Sequence, residues 1–193
     1  KDVKETSIYV KFKVKGEPGV YLMAWTTTPW TLPSNVALTV NPDETYIRAK
    51  CGDETYILAE ALAPTVLGEG YTVTGSCRGS ELRGMEYESL FDFVTPDKKA
   101  YYVVCDNFVT LTDGTGIVHT APAFGEDDAK VGRANDLPFV QLVNEQGEFV
   151  DSVVPWKGMF VKKADPYIIK ELQSRGLAYK LMDYEHSYPC CWR

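Results

Sequence analysis

The stretch SIYVKFKV at residues 7–14, continued through Gly16 and Pro18-Gly19 into VYLMAW at residues 20–25, decides how this chain folds. Ile8, Val10, Phe12 and Val14 fall on one side of the first run, and Tyr9, Lys11 and Lys13 on the other. That two-residue period is the signature of a half-buried strand. Glycine and proline then supply a turn, and the second apolar run ends in a Thr- and Pro-rich stretch. The order is strand, turn, strand, loop, so the loop that begins at Thr26 hangs from a strand end.

Residues 45–49 and 55–59 read as two strands flanking Cys51-Gly52-Asp53 in a hairpin. Residues 71–74, 101–105 and 117–120 read as further strands. Helices look short: 60–67 is interrupted by Pro64, and 126–135 is polar with few apolar anchors. The last helix is clearer, with Asp165 as its N-cap, Pro166 in first position, Ile168, Ile169 and Leu172 on one face, and Gly176 at its end. Residues 177–182 return to a strand pattern. Short strands joined by Gly- and Pro-bearing turns, with few helices, predict an α+β fold built on a β-barrel-like, strongly curved sheet with short peripheral helices.

The chain has 193 residues, 45% hydrophobic and 24% charged, which suits one globular domain with a substantial core. It carries no run of about 18 apolar residues and no signal-peptide pattern near Lys1, so a cytoplasmic protein without a membrane partner is expected. A net charge of −7 argues against a grip on nucleic acid by general phosphate neutralisation, so any such contact must be local. The five cysteines, Cys51, Cys77, Cys105, Cys190 and Cys191, do not form a disulfide framework. There is no GxSxG, HExxH or GxxxxGK[ST] motif. Cys105 precedes His119 by fourteen residues but lies in an apolar strand pattern, where a buried thiol is the simpler reading. Vicinal Cys190 and Cys191 beside His186 are at most half of a metal site.

Two segments carry chemistry. WTTTPWTLPSN at residues 25–35 places four threonine hydroxyls and one amide between apolar residues and stiffening prolines. Threonine hydroxyls donate and accept, so such a cluster can hold a water and a ribose or carbonyl oxygen without supplying a nucleophile; alternatively the threonines cap their own backbone. GTGIVHTAPAFGEDD at residues 114–128 pairs a histidine with an acidic helix start. Glu126, Asp127 and Asp128 could simply complement a helix dipole, and His119 could be a satisfied core histidine.

Together these segments resemble the editing domain of isoleucyl-tRNA synthetases. Valyl and leucyl relatives typically show TTRPET or TTRPDT, with arginine where this chain has Thr28. The resemblance implies post-transfer editing: hydrolysis of the ester that joins valine to the 3′ acceptor end of tRNA(Ile), with isoleucine excluded by pocket size. It implies that Asp128 holds the substrate ammonium and that Thr27, Thr28 and Thr31 position the water and the terminal ribose. His119 bounds the side chain, Thr26 and Asn35 bind or shape the pocket, and Trp25, Thr120, Ala121 and Pro122 complete the substrate-binding set. Phe124 departs from the second histidine of many bacterial relatives and receives no role. No metal or other cofactor is implied for editing; ATP and any zinc belong to other parts of a full synthetase. The resemblance also implies a single editing domain over residues 1–193, excised from a longer chain that acts with it in cis, monomeric when isolated, with 186–193 starting the return to the synthetic core. Binding without chemistry, and an unrelated barrel with a ligand loop, are the competing readings.

Overall fold

A computed structural model describes residues 2–187. Nine strands among these residues sort into two sheets. β1 (Asp2–Lys13), β2 (Val20–Thr26), β4 (Thr45–Cys51), β5 (Glu54–Ala59), β6 (Thr72–Arg78) and β9 (Ala178–Ser187) form a six-stranded sheet in the order β6-β4-β5-β2-β1-β9. β3 (Ala37–Val40), β7 (Tyr102–Cys105) and β8 (Ile117–Thr120) form a second sheet in the order β7-β3-β8. Pairing is antiparallel except for β2 with β5 and β3 with β7.

The opening strand follows its period, but its polar side is covered as well. Ile8, Val10, Phe12 and Val14 are buried, and so are Tyr9 and Lys11. Lys11 Nζ reaches Glu54 Oε1 at 2.7 Å and lies 4.9 Å from the centre of the Tyr21 ring, so its charge is paired where its stem is buried. The predicted half-buried strand is thus a central one, flanked by β2 and β9.

No continuous ring of paired strands closes among the described residues. The two sheets are linked instead by the segment 84–88, which is bonded to both. Glu88 N–H donates to Lys13 O at 2.8 Å and Lys15 N–H to Glu86 O at 2.9 Å, joining it to the end of β1. Tyr87 N–H donates to Tyr101 O at 3.0 Å and Val103 N–H to Met85 O at 2.9 Å, joining it to β7. The core fills the space between the sheets, with Tyr46, Tyr87, Phe12 and Phe149 its largest fully buried side chains.

Among the described residues there are four α-helices, three of them short: α1 (Ala63–Leu67), α2 (Gly79–Leu82), α3 (Glu126–Ala134) and the longer α4 (Val161–Ser174). Pro64 sits in the first turn of α1 and so starts that helix, after a 3-10 turn over Glu60–Leu62. α4 corrects the sequence reading, since it begins four residues before Asp165 and carries Pro166 within it. Asp165 does not cap its own helix. Its Oδ1 accepts the Trp30 N–H at 2.9 Å, tying α4 to the threonine-rich segment. No helix among the described residues is long and apolar enough to cross a membrane.

Candidate functional site

β2 ends at Thr26, and Pro29, with its fixed φ, opens a 3-10 turn over Pro29–Ser34. The threonine side chains bond to their own stretch of backbone here. Thr28 N–H donates to Thr26 Oγ1 at 3.0 Å, and both the N–H and the hydroxyl of Thr31 donate to Thr28 O, at 3.0 and 2.9 Å. The hydroxyls of Thr26 and Thr31 each lie 3.3 Å from that of Thr28. Self-capping and a hydroxyl cluster, alternatives in the sequence, are both present: the caps hold the cluster in shape.

The second motif reaches the same place through backbone geometry. Gly114 and Gly116 have φ of +74° and +81°, open to glycine at little cost. A Cβ on Gly116 would stand 2.6 Å from Ala59 Cβ, so glycine also lets this loop lie on the end of β5, where Ala59 N–H donates to Thr115 O at 2.8 Å. β8 then packs against β2 and presents His119 to the threonines. His119 Nε2 is 2.9 Å from Thr31 Oγ1, a buried bond across 88 residues of sequence.

His119 is neutral and held at both nitrogens. Asn35 Nδ2 lies 2.8 Å from His119 Nδ1 and donates a second bond to Ala37 O at 2.9 Å. Burial pushes the imidazole pKa down to about 4. Asp128, in the first turn of α3, accepts the Ala121 N–H at Oδ2 with a distance of 2.9 Å. Burial, and secondarily the nearby Asp127, raise its pKa above the usual carboxylate value, while the Ala121 bond opposes them. A helix-dipole contribution and a half-buried acceptor therefore coexist at Asp128.

These residues line one pocket of about 400 Å³. Trp25, Thr26, Thr27, Thr28, Thr31, His119, Ala121 and Asp128 all belong to its wall. Asn35, Thr120 and Pro122, expected beside substrate, stand behind that wall. Asn35 backs His119; Thr120 is fully buried, 2.6 Å from Thr39 Oγ1; Pro122 packs against Gly132 of α3. Residues that the sequence reading missed also line the pocket, among them Phe108, Thr110 and Asp113, and so does Phe124, to which it gave no role. Asp113 immediately precedes the GTG turn, which was the available signal. Phe124 meets Trp30 edge-on with ring centres 5.0 Å apart.

A larger hollow of about 800 Å³, walled by Phe91, Phe93, Trp156 and one face of α4, gathers none of the motif residues. Among the described residues no group of three His, Cys, Asp or Glu side chains is placed to hold a metal ion. Cys190 and Cys191, and all but the first two residues of 186–193, lie outside the described residues.

No family model matches the chain. It is 58% identical over 193 residues to the isoleucine–tRNA ligase of Clostridium novyi and 45% identical over 193 residues to that of Thermoplasma volcanium. Each match takes in the whole of this chain but 19% of the relative, so the chain spans about a fifth of the length of the curated relatives it matches. Among solved structures, the editing domain of the P. knowlesi cytosolic leucyl-tRNA synthetase superposes with a TM-score of 0.70 at 13% identity, covering 94% of this chain and 97% of that one. The corresponding P. falciparum domain gives 0.68 at 10% identity, covering 95% and 100%. At such identities the likeness is one of fold.

Proposed function

We propose that the chain is the editing-domain segment of an isoleucyl-tRNA synthetase and that its pocket hydrolyses the ester of mischarged Val-tRNA(Ile). The supporting observation is the bond between Thr31 and His119, which joins the two motifs at the pocket that Asp128 also lines. Hydroxyls, a neutral imidazole and an acceptor for an ammonium thus face one another.

The need for such a site follows from size. Isoleucine exceeds valine by one methylene, worth only about 1–3 kcal/mol of discrimination, and this pair is the standard illustration of that limit. A second pocket can reverse the sieve by admitting only the smaller side chain. Here Asp128 Oδ1 takes the α-ammonium, and His119 bounds the side chain. Thr27 and Thr28 face the pocket to hold water and the terminal ribose, while Thr31 holds Thr28 through its carbonyl.

Water attacks the ester carbonyl carbon, the carbon–oxygen ester bond breaks, and the ribose oxygen leaves with a proton, giving free valine and tRNA. His119 is not the base, because Asn35 occupies Nδ1 and Nε2 faces the Thr31 hydroxyl. The adjacent ribose hydroxyl of the substrate is the proposed proton carrier. An aminoacyl ester is already activated, so orientation and oxyanion stabilisation suffice without a strong general base. The test is deacylation of Val-tRNA(Ile) by a synthetase carrying Asp128→Ala in this segment. Loss of hydrolysis is expected, and unchanged hydrolysis would sink the assignment. If the domain only binds, a non-hydrolysable valyl-adenosine analogue will bind while the wild-type segment leaves the ester intact.

A further inference from the structure

Tyr87 lies outside both motifs, yet its hydroxyl is the start of a hydrogen-bond chain that ends at the threonines. The residue is fully buried, its neighbours are bonded to both sheets, and its ring meets that of Phe12 edge-on at 5.2 Å. The hydroxyl therefore has one fixed address, Asn35 Oδ1, at 2.5 Å.

Donor and acceptor rules set the direction of every later bond. The Ala37 carbonyl can only accept, so the amide nitrogen of Asn35 faces it and Oδ1 faces Tyr87. The other hydrogen of that nitrogen points to His119 Nδ1, which must then be unprotonated. The single proton of the neutral ring is on Nε2, donated to Thr31 Oγ1, and the Thr31 proton goes to Thr28 O. We infer that Tyr87 is a positioning residue of the pocket: by joining the Ala37 carbonyl in fixing the Asn35 amide, it makes the Nε2–H tautomer of His119 the dominant one and thereby sets the orientation of the Thr31 hydroxyl. With the amide reversed, Nδ1 carries the proton and the bare Nε2 draws the Thr31 hydroxyl away from Thr28. The wall that faces substrate then loses its internal tie.

The consequence for turnover rests on the hydrolytic reading above, whereas the tautomer does not, and the experiment separates the two. The chain has two histidines, so nitrogen-15 spectra of the histidine-labelled 193-residue protein are assigned with His186→Gln. Wild type should show His119 with a pyridine-type Nδ1 and a pyrrole-type Nε2. Tyr87→Phe keeps the ring and removes the hydroxyl, and the two signals should move toward each other as tautomers mix. Tyr101→Phe is the packing control, because the Tyr101 ring contacts Tyr87 at 6.1 Å but lies outside the bond chain. It should leave His119 unchanged. Unmoved His119 signals in Tyr87→Phe, or equal shifts in both variants, overturn the inference. In a synthetase carrying the segment, Tyr87→Phe should lower kcat for deacylation about tenfold, with KM within about twofold. Mixed tautomers with no deacylation in wild type would uphold the inference and defeat the hydrolytic reading instead.

Discussion

Thr31 and His119 illustrate what a residue inherits from its surroundings. A surface histidine titrates near pH 6.5, but His119 is buried and its pKa falls to about 4. In this window the unfolded chain binds a proton that the folded one does not, so stability is fully present above pH 6.5 and is lost as pH falls toward 4. The shift corresponds to about 3 kcal/mol. Urea unfolding at pH 7 and pH 4.5 should show a loss of that order, and His119→Gln, whose amide does not titrate, should show a smaller one. Asp128 shifts the opposite way. Its carboxyl must be ionised to hold an ammonium, so deacylation should fall as pH drops through its raised pKa, and the acid limb should lie above the ordinary carboxylate range. A limb at the ordinary value would count against burial as the cause. At this scale the sequence was informative where residues cluster in a motif: Thr26, Thr27, Thr28, His119 and Asp128 reach the pocket. It was silent for Phe108 and Tyr87, which are placed by contacts that no local spacing encodes.

Among elements, β3 was the strand that escaped the sequence reading. Ala37, Leu38, Thr39 and Val40 are all buried, because β3 lies between β7 and β8 with both faces covered. A strand without an exposed face shows no alternation, and four residues are too few for another signal. The start of α4 was missed because Asp165 and Pro166 imitate a cap and first turn, while the carboxylate is used at Trp30. That bond is a testable fastener. Asp165→Ala should destabilise the domain by about 1–3 kcal/mol and slow deacylation, and Asp165→Asn, which keeps an acceptor oxygen, should recover most of both. The GTG turn offers a sharper case. Gly116→Ala combines a left-handed backbone with a methyl placed 2.6 Å from Ala59 Cβ, and should cost about 2–5 kcal/mol in denaturant unfolding. A loss below 1 kcal/mol would mean that the loop does not bear on β5 as described.

For the molecule as a whole, the net charge of −7 limits how the pocket can be supplied with substrate. A protein with six to ten phosphate contacts loses about 10³–10⁵ in affinity between 50 and 200 mM salt, and this chain should change by less than about tenfold. Filter binding of tRNA across that range checks it. The general architecture was legible because turns and alternation are local, but its division into two sheets was not. The segment 84–88 joins them without strand character strong enough to read in the sequence. β1 and β9 run antiparallel from Asp2 opposite Ser187, so polypeptide arriving at one and departing from the other does so at neighbouring points about 5 Å apart. A larger protein holding this segment would span a gap of one strand spacing, whatever the length of chain between.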